Sequence, residues 1–250
     1  MQLKQFFDQN PRFAVAFSGG VDSSFLLHAA KEAGCDVHAY FIKAEFQPQF
    51  ELNDAILLAK SLDIPLTIET FSVLDEPSVV ENSPKRCYHC KTKILEKLWK
   101  LARMDGFEVL CDGTNADDDE TDRPGMKALR EQEVVSPLRD CGLGKKKIRS
   151  LSKKAGLPTH DKPAYACLAT RIPTGTTITH DLLEKVERAE SALFDMGFSD
   201  FRVRLVPLDT AKIQVPGKQW KKAAAMRKKI IKALESDFSN IVLDMKSRGS

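Results

Sequence analysis

The chain has 250 residues, of which 42% are apolar and 29% charged, with a formal net charge of +3. A length and balance of this kind supply a sizeable core, which argues against a disordered chain. The small net charge leaves no global electrostatic footprint for duplex nucleic acid, and no apolar run approaches the roughly 20 residues a membrane-spanning helix needs.

The first residues, "MQLKQFFDQNPRF", lack the basic start and apolar run of a signal peptide, so the cytoplasm is the expected location. In that setting the six cysteines read as metal ligands, catalytic groups or buried thiols rather than as disulfides. "FAVAF" reads as a buried strand, "SSFLLHAAKEAG" as a helix ending at Gly34, and "DVHAYFI" as a second strand. "ELNDAILLAKSLDI" carries Leu52, Ala55, Ile56, Ala59 and Leu62 at helical spacing, and "PLTIETF" follows as a third strand.

After a polar loop comes a helix with "CYHCKTKILEKLWKLA", whose Leu98 and Trp99 suit a core or an interface, and then "FEVLCDGT", a strand running into a loop. "LGKKKIRSLSKKAGLP" predicts an amphipathic helix with Ile148, Leu151 and Ala155 inward and its lysines on a solvated face. Around Pro173 the pattern changes to a helix over 179–197, strands "FRVRLV" and "AKIQV", a basic helix over 217–235 and a last strand "NIVLDM". The alternation predicts an α/β fold, a doubly wound parallel sheet over 1–172, with a smaller α+β domain over 173–250.

Ser18-Gly19-Gly20-Val21-Asp22-Ser23, followed by Ser24, sits where the first strand stops and a helix starts. Glycines permit close backbone approach, and the helix start offers unbonded N–H groups and hydroxyls to an anion, so the stretch predicts a phosphate site. It has neither the lysine of a P-loop nor the third spaced glycine of a dinucleotide fingerprint. Asp22 would repel a polyphosphate unless a cation such as Mg²⁺ lay between them. A second polar cluster, "CDGTNADDDETDRPGMKAL", groups Asn115, Asp117, Asp118, Asp119, Asp122 and Arg123. Alone it is a solvated acidic loop; beside a phosphate loop it could contact nucleotide or metal.

Cys87 and Cys90 form a CxxC, with Cys167 as a possible third ligand; zinc, an iron–sulfur cluster, a redox pair or core thiols all remain open on spacing alone. His89 could ligate a metal, though a solvated imidazole is commoner. Cys35 and Cys111 suit small buried positions, and Cys141 is left open. Arg202 and Arg204, two apart on a strand, share one face, with Val203 on the other.

SGGxDS after an apolar strand resembles the PP-loop of the N-type ATP pyrophosphatases. "FSGGVDS", "NSPKRCYHCK", "DGTNADD", "RPG", "CLATRIPTGT" and "FRVR" occur in the order seen in the LarE family. The resemblance implies an adenine nucleotide alpha hydrolase-like fold. It also implies an ATP-dependent sulfur transferase acting on pyridinium-3,5-biscarboxylic acid mononucleotide, in assembly of the nickel-pincer nucleotide cofactor of lactate racemase. ATP and Mg²⁺ would be held by Ser18, Gly19, Gly20, Val21, Asp22, Ser23, Ser24, Asn115, Asp117 and Arg123.

One group of the family donates sulfur from a single sacrificial cysteine, whereas another has three cysteines and resembles cluster-containing tRNA thiolases. Here Cys167 precedes Arg171 by four residues, Ala166 stands where the sacrificial cysteine would fall, and Cys87 and Cys90 are present. These departures imply the cluster type, with Cys87, Cys90 and Cys167 holding a 4Fe-4S cluster whose open iron carries sulfide. Arg171, Arg202 and Arg204 would bind the anionic nucleotide substrate, with Glu190 binding it or orienting an arginine. Sulfide or a persulfide would supply sulfur, and the family's symmetric oligomers, often hexamers, imply a homo-oligomer. The alternatives are a tRNA thiolase, a sacrificial donor through Cys167, a non-catalytic carrier and an ammonia-using synthetase.

Overall fold

A computed structural model describes residues 2–118, 124–206 and 209–248. Its first elements are α1 (Leu3–Gln9), β1 (Arg12–Ala16), α2 (Val21–Glu32), β2 (Asp36–Lys43), α3 (Gln49–Ser61) and β3 (Leu66–Thr70). They are followed by α4 (Pro77–Val80), α5 (Arg86–Met104), β4 (Leu110–Cys111), α6 (Pro124–Glu131), α7 (Pro137–Asp140) and α8 (Lys145–Lys154). The last are α9 (His180–Asp195), β5 (Arg202–Leu205), β6 (Thr210–Gln214), α10 (Trp220–Ala225), α11 (Arg227–Leu234) and β7 (Asn240–Leu243).

Residues 1–73 and 85–162 form one compact unit, and residues 74–84 and 163–250 a second. The division follows Lys162 rather than residue 172. The short 74–84 segment goes with the second unit because Gly175 N donates to Asn82 O at 2.9 Å and Ile178 N to Val80 O at 2.9 Å. Such pairings between distant stretches leave no mark in local composition.

In the first unit the strands are parallel in the order β3-β2-β1-β4, and a bridge from Cys111 to Val135 extends the sheet. Side chains alternate across a strand, so Phe13 and Val15 of β1 enter one core and Ala14 the other. The first core takes Leu26 and Leu27 of α2, Ala55 and Leu58 of α3 and Ile148 of α8; the second takes Leu95, Leu98 and Trp99 of α5 and Leu129 of α6. Both faces are thus covered, as expected of a doubly wound sheet.

Some expectations shift. Ile56 is 40% exposed and Leu58 is buried in its place, because α3 starts at Gln49 and presents a rotated face. Ala155 is exposed, since α8 ends at Lys154 and Gly156 turns the chain at φ +70°. The basic helix over 217–235 is broken into α10 and α11 at Met226.

The second unit has a sheet in the order β5-β6-β7, with β5–β6 antiparallel and β6–β7 parallel. α9 packs on β5 and α11, burying Leu183, Val186, Ala189 and Leu193. No described helix is long and apolar enough to cross a membrane.

Candidate functional site

β1 lies between β2 and β4, where the order of the sheet reverses, so the turn after β1 opens at the switch point where such sheets bind ligands. Gly19 takes φ +67°, and a Cβ there would lie 3.2 Å from Glu51 O and 3.3 Å from Ala55 Cβ. α3 therefore braces the turn, and glycine is required both by backbone angle and by contact. Gly20 begins α2 with no side-chain cap, which leaves the N–H groups of Val21, Asp22 and Ser23 for an anion.

The serines have other tasks. Ser24 Oγ donates to Gly20 O at 2.6 Å, and Ser18 N donates to Ser23 Oγ at 3.4 Å. Ser23 and Ser24 are buried and shape the turn, while Ser18 is exposed. Gly113, inside the acidic segment, is a functional position that spacing missed: a Cβ there would lie 2.6 Å from Ser23 N. Only a glycine lets the chain leaving β4 pass so close to the first turn of α2.

Asp22 is the electrostatic centre. Its Oδ2 accepts from Lys145 Nζ at 2.5 Å and from Asn115 Nδ2 at 3.5 Å. Its Oδ1 is buried and has no hydrogen-bond partner among the described residues. A buried, unsatisfied carboxylate oxygen beside an uncapped helix start fits Mg²⁺ shared with a polyphosphate, because that ion takes few protein carboxylates and fills its shell with phosphate oxygens and water.

Asp117 acts one step back. Its Oδ2 accepts from Lys145 N at 2.6 Å, and a Cβ on Gly144 would lie 2.6 Å from its Oδ1, so Asp117 caps α8 and aims Lys145. Asn115 Oδ1 accepts from Asp117 N at 2.9 Å, which ties the segment together. Asp119, Asp122 and Arg123 lie outside the described residues.

A second cation was also missed. Lys162 Nζ donates to Gly19 O at 3.1 Å and to Asp54 Oδ2 at 2.7 Å. Lys145 was read as part of a solvated face; the structure corrects this, since its ammonium pairs with Asp22. The only sequence hints were a glycine before the lysine run and a proline after Lys162.

Cys87 and Cys90 occupy the start of α5, three residues apart and so on one face, with Cys87 exposed and Cys90 half-buried. Arg86 Nη2 donates to Cys87 Sγ at 3.6 Å. Two thiols at this spacing suit a metal or cluster. His89 is half-buried and its ring packs edge-on to Tyr88 at 5.2 Å. Burial pushes the Cys111 thiol well above its usual range, and burial also raises Cys35 and Cys141. That environment is opposite to that of a reactive thiolate.

In the second unit Cys167 is half-buried and opens a 3₁₀ turn over Leu168–Arg171. Arg171 is buried and donates through Nε to Glu190 Oε1 at 2.7 Å and through Nη2 to Oε2 at 3.2 Å. Glu190 Oε1 also accepts from Val203 N at 2.8 Å, and Oε2 from the Tyr165 hydroxyl. Glu190 thus orients an arginine. Arg202 donates to Phe201 O and Ala164 O, each at 2.6 Å; Arg204 donates to Gln214 Oε1 at 2.8 Å and Thr170 O at 2.6 Å.

Neither Arg202 nor Arg204 meets a carboxylate among the described residues. Burial, with Arg171 and Arg248 nearby, pushes Arg202 down to about 10 and lowers Arg204 as well. Two guanidiniums without a counter-ion are a place for an anion.

The uncapped helix start at a parallel-sheet switch point, its acid and the two lysines beside it define a PP-loop nucleotide-binding α/β protein. Residues 11–134 match the family described as tRNA methyl transferase HUP domain. A pyridinium-3,5-bisthiocarboxylic acid mononucleotide synthase from Lactiplantibacillus plantarum is 31% identical over 94% of this chain and 86% of its own. The chain belongs to the LarE family. An uncharacterized protein from Synechocystis sp. is 35% identical over 87% of this chain and 81% of its own. A tRNA-specific 2-thiouridylase from Pseudothermotoga lettingae is 27% identical over 60% of this chain and 54% of its own.

Proposed function

We propose that the protein is an ATP-dependent sulfur transferase that activates a carboxylate of pyridinium-3,5-biscarboxylic acid mononucleotide by adenylation and exchanges its oxygen for sulfur. The observation that carries the nucleotide half is Asp22, with Oδ2 on Lys145 and Oδ1 buried without a partner among the described residues, beside the uncapped start of α2. The N–H groups of α2 and the ammonium groups of Lys145 and Lys162 would hold the polyphosphate, and Asp22 would face Mg²⁺. The substrate carboxylate attacks the α-phosphorus and pyrophosphate leaves; charge neutralisation by these fixed groups is the main help such a step needs.

Arg202 and Arg204, aligned by Arg171 and Glu190, would neutralise the phosphate of the substrate. Cys87, Cys90 and Cys167 would hold a 4Fe-4S cluster, which when bound supplies an exchangeable sulfide. Sulfide attack on the acyl-adenylate carbonyl expels AMP and leaves a thiocarboxylate. Because the protein's own sulfur is retained, the chain is not consumed. The protein would work as a cytoplasmic homo-oligomer, a state that light scattering reads directly.

The test is iron and acid-labile sulfide analysis of protein purified without oxygen, followed by turnover with ATP, sulfide and the biscarboxylate. About four of each per chain, as in a 4Fe-4S protein, with AMP, pyrophosphate and a thiocarboxylate as products, supports the reading. Absence of iron together with loss of one sulfur's mass from the chain after turnover would move the donor role to Cys167 alone. The thiouridylase likeness supports a second reading, thiolation of a tRNA base by the same chemistry; salt-dependent tRNA binding, with no turnover of the mononucleotide, would favour it.

A further inference from the structure

Resting on the sulfur-transfer reading, which makes Cys167 a working thiol, we propose that Tyr165, Glu190, Arg202 and Arg204 are positioning residues that clamp the segment carrying Cys167. The argument begins with the backbone. Residues 163–167 have no regular secondary structure, and Ala164 and Ala166 are exposed, so no strand or helix carries the stretch up to the 3₁₀ turn that Thr170 N closes on Cys167 O at 3.0 Å.

Side chains take their place on both sides of the cysteine. Before it, Arg202 Nη2 donates to Ala164 O at 2.6 Å and the Tyr165 hydroxyl donates to Glu190 Oε2. After it, Arg204 Nη1 donates to Thr170 O at 2.6 Å and Arg171 Nη1 to Thr170 Oγ1 at 2.7 Å. The Tyr165 ring is also flanked by cations, with Arg171 at 4.8 Å and Arg202 at 5.0 Å from its centroid. Glu190 is the hub, since its two oxygens receive Arg171, Val203 and Tyr165, and it ties the segment to β5.

The same guanidiniums that lack a carboxylate therefore do two things. Through the donors already engaged they hold the carbonyls around Cys167, and their remaining donors can meet an anion. An anionic substrate and the thiol are thereby referred to one rigid group. Sequence could not suggest Tyr165, because one aromatic residue in a loop carries no periodicity.

The experiment is alkylation of the metal-free protein by iodoacetamide, with the rate at each cysteine read by mass spectrometry and folding checked by thermal melting. Tyr165→Phe keeps the ring and removes only the hydroxyl bonded to the carboxylate; it should speed modification of Cys167 about tenfold, as expected for losing one hydrogen bond to a charged group. Arg204→Gln should act in the same direction and Arg204→Lys should restore the slow rate, while Cys87 keeps its wild-type rate in all three. An unchanged Cys167 rate in Tyr165→Phe and Arg204→Gln, or an equal acceleration at every cysteine, overturns the clamp. No turnover is needed, so a chain that transferred no sulfur would refute the function while leaving this result to stand or fall by itself.

Discussion

Asp22 in the first unit and Glu190 in the second are both carboxylates surrounded by cations, yet their balances are opposite. Asp22 gives Oδ2 to Lys145 and keeps Oδ1 buried without a partner among the described residues. Glu190 has both oxygens taken by Arg171, Tyr165 and the backbone of β5, and two further guanidiniums, Arg202 and Arg204, meet no carboxylate directly among the described residues. The first region keeps one carboxylate oxygen open beside its lysines, and the second keeps guanidinium donors open. Buried polar groups with spare bonding capacity are costly unless a ligand relieves them, so the first region suits a cation shared with an anion and the second an anion.

Four changes would break or sharpen that contrast. The largest effect should come from Glu190→Ala, which leaves the buried Arg171 without its carboxylate; a loss of about 3–5 kcal/mol in urea unfolding is expected for a broken buried pair. An unaltered midpoint would mean that Glu190 is not the hub of the second unit. Next, Asp22→Asn should lower pyrophosphate release from ATP by about 10²-fold, because Mg²⁺ loses its protein carboxylate. Its melting temperature should fall little, since the amide oxygen can still accept from Lys145 and Asn115.

Smaller effects test the anion side. Arg202→Gln should raise the KM for the mononucleotide by about tenfold, the size of one lost charge-assisted contact, with ATP binding unchanged. Inorganic phosphate should raise the wild-type melting temperature, and Arg202→Gln should remove most of that rise. The smallest change should be Lys145→Met. Asp22 then has no competing ammonium, so Mn²⁺ binding without nucleotide, read by electron paramagnetic resonance, should tighten about threefold while ATP binding weakens. Equal weakening of both would show that Lys145 only packs.

Much of the architecture was legible because burial is written into periodicity. Strand "FAVAF", the glycine turn and the helix after it follow from apolar runs and from glycine's freedom at φ +67°, and the parallel order follows from the alternation of strands and helices. The CxxC on the first turns of a helix was legible for the same reason. The face of α3 was misjudged at Ile56 because periodicity locates a stripe but not the residue at which the helix begins.

By itself, then, the sequence determined the parallel sheet, the glycine turn before α2 and the cysteines on α5, all of which depend on neighbours a few residues apart. Only the tertiary structure decided that Lys145, from a helix that looked merely solvated, reaches Asp22, and that Lys162 reaches Gly19. It also placed Asp117 on the first N–H of α8, and Arg202 and Arg204 on backbone carbonyls either side of Cys167. The physical reason is that local pattern encodes which side chains leave water, whereas the partner a charge meets is set by chain crossings that join residues far apart in sequence.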